Sequence, residues 1–256
     1  MKFRPCIDIH NGKVKQIVGG SLQDRGNQAK ENFVSEQDSA FYASLYKEKG
    51  LKGGHIILLN SADSEYYKAT RDQAFLALGA YPGGLQLGGG VNPENAAEYL
   101  MAGASHVIVT SYVFRDGHIS WENLEKMVEA VGKEHLVLDL SCRKKEDSYY
   151  VVTDRWQKFT EEKVTLKLME KLGGYCNEFL IHAVDVEGKA NGVEVPLAKL
   201  LGEYEGHPVT YAGGVGSMED IRILKKATCG KVDVTVGSAL DLFGGNIPFT
   251  ELTGEL

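Results

Sequence analysis

Eight short apolar runs punctuate the chain at fairly even intervals, each followed by a polar stretch. They cover residues 3–9, 55–60, 85–88, 106–111, 135–140, 178–183, 208–212 and 232–237. Several are apolar at nearly every position, as in HIILL, HVIV, HLVL and FLI. A strand with one wet face alternates apolar and polar residues. A continuous run marks a strand covered on both faces, as in a parallel sheet. Between the runs, apolar residues recur at helical spacing. Phe41, Leu45 and Tyr46 precede Gly50, and Phe75, Leu76 and Leu78 precede Gly79. Leu124, Met127, Val128 and Val131 step by three and four, and Leu197, Leu200 and Leu201, then Ile221 and Leu224, continue the pattern. Strand alternating with helix eight times predicts an α/β fold of the (β/α)8 TIM-barrel type, one domain over residues 1–256. An open doubly wound sheet would carry a GxGxxG turn near its start, and the sequence has none.

Two connections are longer than barrel loops usually are: VGGSLQDRGNQAKEN at 18–32 and SCRKKEDSYYVVTDRWQKFTEE at 141–162. Long loops after barrel strands are commonly lids or substrate contacts. The apolar residues 149–152 and Trp156 predict a small hairpin in the second.

The chain also repeats itself. LQLGGGVNPENAAEYL at 85–100 aligns with VTYAGGVGSMEDIRIL at 209–224, an offset of 124 residues. VIVTS at 107–111 aligns with VTVGS at 234–238, and CIDIHNGK with VLDLSCRK, which sets Asp8 opposite Asp139. Offsets near half the chain length predict two half-barrels, about 1–130 and 131–256, related by a pseudo-two-fold axis. Whatever one half places at the mouth then recurs opposite itself.

That symmetry gives the glycines meaning. There are 30 of them, about 12% of the chain against a usual 7% or so. Gly89 and Gly90 follow the third strand, and Gly213 and Gly214 the seventh. Thr110 and Ser111 end the fourth, and Gly237 and Ser238 the eighth. Glycine lets backbone N–H groups approach an anion with no Cβ in the way, and hydroxyls add donors. A phosphate site after strands 7 and 8 recurs in this fold. Two such sites predict a small, bisphosphorylated ligand spanning the mouth. Asp8 and Asp139 end apolar strands at the same mouth, where carboxylates among apolar neighbours can divide into a general acid and a general base. Gly20 and Arg25 in the first long loop, Arg143 and Trp156 in the second, and His182 and Asp185 around the sixth strand are further candidate substrate contacts. Glu187 and Gly188 lie nearby; for Asp185, Glu187 and Gly188 alike, loop solvation accounts for them as well as ligand contact does.

Composition narrows the partners. The net charge of −7 argues against a broad nucleic-acid surface. No apolar run approaches membrane-span length, and MKFRPCIDIHNGK has no secretory core. Cys6, Cys142, Cys176 and Cys229 are widely spaced, which suits reduced thiols and a cytoplasmic location. Metal-ligand spacings, a P-loop, GxSxG and dinucleotide fingerprints are all lacking, so the expected chemistry is cofactor-free and metal-free.

The paired Asp residues, GGG and AGGV after strands 3 and 7, and TS and GS after strands 4 and 8 together resemble the histidine-biosynthesis barrels, from about residue 2 to residue 243. RPCIDIHNGKVKQIVGG, VLDLSCRK…DRWQKFT and LIHAVDVEGKANG are most similar to the isomerase branch in its fungal and plant form. That resemblance implies an Amadori rearrangement: aldose-to-ketose isomerisation of a phosphoribosyl-formimino aminoimidazole carboxamide ribonucleotide. It implies Asp8 as base, Asp139 as acid, loops that close over the substrate, and no obligate protein partner. The alternatives are the cyclase branch, which takes ammonia from a glutaminase, and a non-catalytic phosphate-ligand barrel. The chain departs from the bacterial pattern at LLNSA, with Asn60 in place of an acid, and at 183–188. There the threonine that assists catalysis in the bacterial form has no clear equivalent, and Asp185 is expected to take over part of that loop's function.

Overall fold

The computed structural model describes residues 1–18, 21–22, 28–154 and 156–256. At its centre eight parallel strands roll into a barrel: β1 (Cys6–His10), β2 (Gly54–Leu58), β3 (Leu85–Gly88), β4 (Val107–Val109), β5 (Leu136–Asp139), β6 (Glu178–His182), β7 (Val209–Ala212) and β8 (Asp233–Val234). Each pairs with the next. Phe3 closes the ring against Val234. The Arg4 N–H donates to Val234 O at 2.8 Å, and the Val234 N–H donates to Lys2 O at 3.0 Å. Around the barrel lie α1 (Ser39–Glu48), α2 (Tyr67–Ala80), α3 (Ala96–Met101), α4 (Trp121–Val131), α5 (Leu166–Gly173), α6 (Val195–Gly202), α7 (Met218–Ala227) and α8 (Phe249–Glu255). The TIM-barrel fold expected from the sequence is the fold observed.

Local chemistry starts the helices where they start. Asp38, Ser120, Thr165 and Ser217 cap α1, α4, α5 and α7, each side-chain oxygen accepting the N–H three residues on. Pro196 sits in the first turn of α6, where its missing N–H is not needed.

Strand parity explains both the continuous apolar runs and the site. Leu136 and Leu138 face outward into the large core under the helices. Val137 faces inward, where it meets Ile108, Leu180 and Ala212, with Ile57 packed against them. Both faces are dry, so both parities are apolar. The inward parity turns polar above and below this layer. Below it, Arg4 Nε donates to Asp233 Oδ2 at 2.8 Å and its guanidinium lies 4.0 Å from Glu178, which also accepts from Thr210 Oγ1. Above it stand Asp8, Asp139 and His182.

Strands flank the first long connection and fill much of the second. Lys13–Ile17 doubles back on β1 and pairs with Glu31–Val34. The hairpin predicted after β5 is a three-stranded antiparallel sheet of Cys142–Lys145, Ser148–Thr153 and Lys158–Lys163. β4 and β8 are shorter than their apolar runs, because Thr110, Ser111, Gly237 and Ser238 leave the ladder to line the mouth.

Candidate active site

Two connected recesses open at the C-terminal ends of the strands. The larger, of about 370 Å³, reaches from Gly88–Gly90 and Thr110–Ser111 across to Trp156; the smaller, of about 30 Å³, lies among Gly213, Gly214, Gly237 and Ser238. Asp8, His182 and Glu187 line both.

Backbone geometry repeats with the sequence. Gly89 and Gly213 have φ of +101° and +115°, and Gly90 and Gly214 have +71° and +79°. These are angles that residues with a Cβ rarely adopt. A Cβ on Gly89 would lie 2.2 Å from Leu58 O, and one on Gly214 would lie 2.1 Å from Gly192 O. Each half therefore presents the same left-handed glycine turn to the mouth, a shape that gathers backbone N–H groups around an anion. Thr110 lines the larger recess, and its Oγ1 also donates to Asp139 Oδ2 at 3.1 Å.

The two carboxylates, alike in sequence, have unlike surroundings. Asp8 accepts one long hydrogen bond, from Gln16 Nε2 at 3.4 Å. Burial, then the negative charge of Glu187, raise its pKa to about 7, against opposing pulls from His182 and Gln16. Asp139 is enclosed by donors. Ser141 Oγ lies 2.9 Å from both its oxygens, Thr110 reaches Oδ2, and His182 Nδ1 is 3.3 Å from Oδ1. Ser141 in turn accepts from Trp156 Nε1 at 3.1 Å. The Trp156 ring, at a positive φ of 69°, is 6.0 Å from the His182 ring. Burial opposes a charge on His182, but Asp139, Glu187 and Asp8 outweigh it and lift its pKa to about 9. The neighbouring His55 goes the other way, to about 3, through burial and the His182 charge. Burial also pushes Glu187 above the usual carboxylate range, and its buried Oε2 has no hydrogen-bond partner among the described residues.

Of the other expected contacts, Gly20 and Arg25 lie outside the described residues. Arg143 and Asp185 turn to each other. Arg143 Nε donates to Asp185 Oδ1 at 2.8 Å, and the Lys144 N–H to Oδ2 at 2.8 Å. Neither lines the recesses. Asp185 is committed to the rim of the three-stranded sheet, whereas His182 lines both recesses. Glu187, Gln16 and Ser141 are the functional candidates that sequence reasoning undervalued. Ser141 was accessible to parity, two residues beyond Asp139. Gln16 was not, since nothing local shows that its strand folds back on β1.

Residues 2–248 match the profile of the family described as histidine biosynthesis protein. The chain belongs to that family. Among its relatives, a chloroplastic 1-(5-phosphoribosyl)-5-((5-phosphoribosylamino)methylideneamino)imidazole-4-carboxamide isomerase of Medicago truncatula is 54% identical over 256 residues, covering 98% of this chain and 80% of that protein. Isomerases of the same name from Yarrowia lipolytica and Saccharomyces cerevisiae are 46% and 43% identical, each across 96% of this chain and across 93% and 94% of their own lengths. Within the histidine biosynthesis family these three carry the isomerase name, not that of the cyclase. The cytoplasmic location expected from the cysteines is corrected by the Medicago relative, which is chloroplastic. Free thiols report a reducing compartment, and that does not single out the cytosol.

Proposed function

We infer that this chain isomerises the ribonucleotide for which its relatives are named, converting its N-linked phosphoribosyl group to the phosphoribulosyl form. The supporting observation is the mouth itself: two strand-end carboxylates, Asp8 and Asp139, between two glycine turns of matching backbone geometry. In this reading Gly89, Gly90, Thr110 and Ser111 hold one phosphate, and Gly213, Gly214, Gly237 and Ser238 hold the other. One barrel domain, with halves at about 1–130 and 131–256, supplies one phosphate site from each half. The reaction needs only proton transfers. An acid protonates the furanose ring oxygen, the C1′–O4′ bond opens to an iminium, and a base removes the C2′ proton. A base that ionises near neutrality suits the last step, and Asp8, pushed up to about 7, is placed for it. Asp139, across the mouth, is the acid. Turnover calls for no second protein.

The test is an assay of the purified chain with the formimino ribonucleotide, without metal or ammonia, coupled to an excess of cyclase. Turnover is expected in the wild type, with losses of about 10²–10⁴-fold in Asp8→Asn and Asp139→Asn. A silent wild type overturns the isomerase, and full activity in Asp8→Asn overturns the assignment of the base.

A further inference from the structure

Gln16 meets the base and the edge of a proposed phosphate site at once. It lies on the strand Lys13–Ile17, which folds back antiparallel on β1 with Ile9 opposite Val14 and His10 opposite Lys13. The hairpin brings Gln16 inward, where it is 3% exposed and lines the smaller recess with Asp8 and Gly237. Its amide is shared between them. Nε2 donates to Asp8 Oδ2 at 3.4 Å and lies 3.7 Å from Cys6 Sγ. Oε1 fills the space beside Gly237, where a Cβ would lie 2.2 Å from that oxygen. The Gly237 backbone is outside the left-handed region, so its conformation does not call for glycine. The space taken by the Gln16 amide does.

The choice of donor matters to a base. A cation beside a carboxylate holds it ionised and weakens it as a proton acceptor, whereas a neutral amide orients it at a smaller cost in basicity. The cation on the same strand, Lys15, has the opposite parity and pairs with Glu31. Among the described residues Asp8 thus accepts from a single side chain, an uncharged one, and its Oδ1 stays open to the mouth.

We propose that Gln16 is the positioning residue of the base, holding Asp8 Oδ2 so that Oδ1 is left to take the C2′ proton, and that position 237 is glycine to give that amide room. The proposal rests on the isomerase reading, in which Asp8 is the base.

The titratable groups around Asp8 are Cys6 from β1, Tyr46 from α1, His55 from β2, His182 from β6 and Glu187 from the loop after it, with Asp139 across the larger recess. Burial holds the Cys6 thiol and the Tyr46 phenol well above their usual values, and His55 is held near 3, so these three stay neutral. Glu187 strengthens the hold of Asp8 on its proton; His182 and the Gln16 amide weaken it. The acid limb of the kcat/KM profile, where Asp8 ionises near pH 7, should therefore move to higher pH when the amide is lost and to lower pH when a cation replaces it.

The experiment measures kcat and kcat/KM with the formimino ribonucleotide over pH 5 to 9 or so. It compares wild type, Gln16→Met, Gln16→Lys, Gly237→Ala and the double variant Gln16→Met/Gly237→Ala. Methionine is as long as glutamine and lacks the donor; lysine donates with a charge. Ionisations of the substrate are common to all variants and cancel in the comparison. We expect the acid limb to rise by about 0.5–1 pH unit in Gln16→Met, with plateau kcat down about tenfold, and to fall by a similar amount in Gln16→Lys. The methyl of Gly237→Ala meets the far end of a flexible side chain, so it should turn the amide aside and reproduce the limb shift of Gln16→Met, while raising KM on its own account. In the double variant the limb should stay where either single change puts it. A limb within about 0.2 unit of wild type in either Gln16 variant overturns the proposal, as do shifts of the same sign in both. So do a plateau kcat of Gln16→Met within about twofold of wild type, and limb shifts that add in the double variant. A silent wild type instead refutes the isomerase reading itself, so the two failures are distinct.

Discussion

Asp8→Asn should make the protein more stable at alkaline pH while abolishing its chemistry. The fold raises the Asp8 pKa from 3.8 to about 7, through burial and the charge of Glu187. The native state therefore favours the protonated form more than the unfolded chain does. The sign follows: this contribution is fully present below the unfolded value of 3.8 and is lost as pH rises through 7. Above that, an ionised Asp8 is a liability. The interval between the two values sets an upper bound of about 4 kcal/mol. The mouth is partly open to water, and Asn gives up the attraction of His182, so about 2 kcal/mol is the expected gain at pH 8.5. Near pH 4.5 it should shrink to about 0.5 kcal/mol or less. For a chain of this length the gain corresponds to a rise of roughly 4–8 °C in Tm. Urea melts and thermal scans of both proteins at the two pH values measure it. A gain equal at both pH values would mean that charge at position 8 is not the cause. A loss at pH 8.5 would refute the raised pKa.

Other expectations follow from the same geometry. Glu187→Gln removes a charge that raises Asp8, so the acid limb of the kcat/KM profile should move toward acid; a limb that stays put would show that Glu187 does not act on Asp8. Arg4→Met leaves Asp233 and Glu178 facing each other unpaired below the inner core and should destabilise the fold by about 3 kcal/mol in urea melts, with kcat of the folded protein retained; a change under about 1 kcal/mol contradicts this. The glycine turns should separate backbone strain from space. Gly90→Ala, with nothing within 4 Å of its new methyl, should lower stability by only about 1–2 kcal/mol and act mainly on KM, whereas Gly214→Ala, 2.1 Å from Gly192 O, should fail chiefly in thermal stability. Equal stability losses in the two variants would refute the distinction.

The sequence by itself determined the barrel and its mouth, and it placed the two glycine turns that the proposed phosphate sites use. Strands dry on both faces are apolar at nearly every position, so IILL at 56–59 and LVL at 136–138 announce a parallel sheet without reference to any neighbour. The φ of +101° and +115° at Gly89 and Gly213 strongly favours glycine, so Gly89, Gly90, Gly213 and Gly214 mark both turns, and the half repeat pairs Asp8 with Asp139. Nothing local distinguishes those two acids, however. Their difference is set by Gln16, folded back from the next strand, by Ser141 and Thr110 closing on one carboxylate only, and by His182 and Glu187 arriving from β6 and its loop. Likewise, the tie of Asp185 to Arg143 depends on how the three-stranded sheet meets the loop after β6. A short-range pattern records what each residue needs of its own backbone and its own two faces. Proton affinity depends on charges and dipoles brought within a few ångströms from distant parts of the chain, and only the closed barrel assembles them.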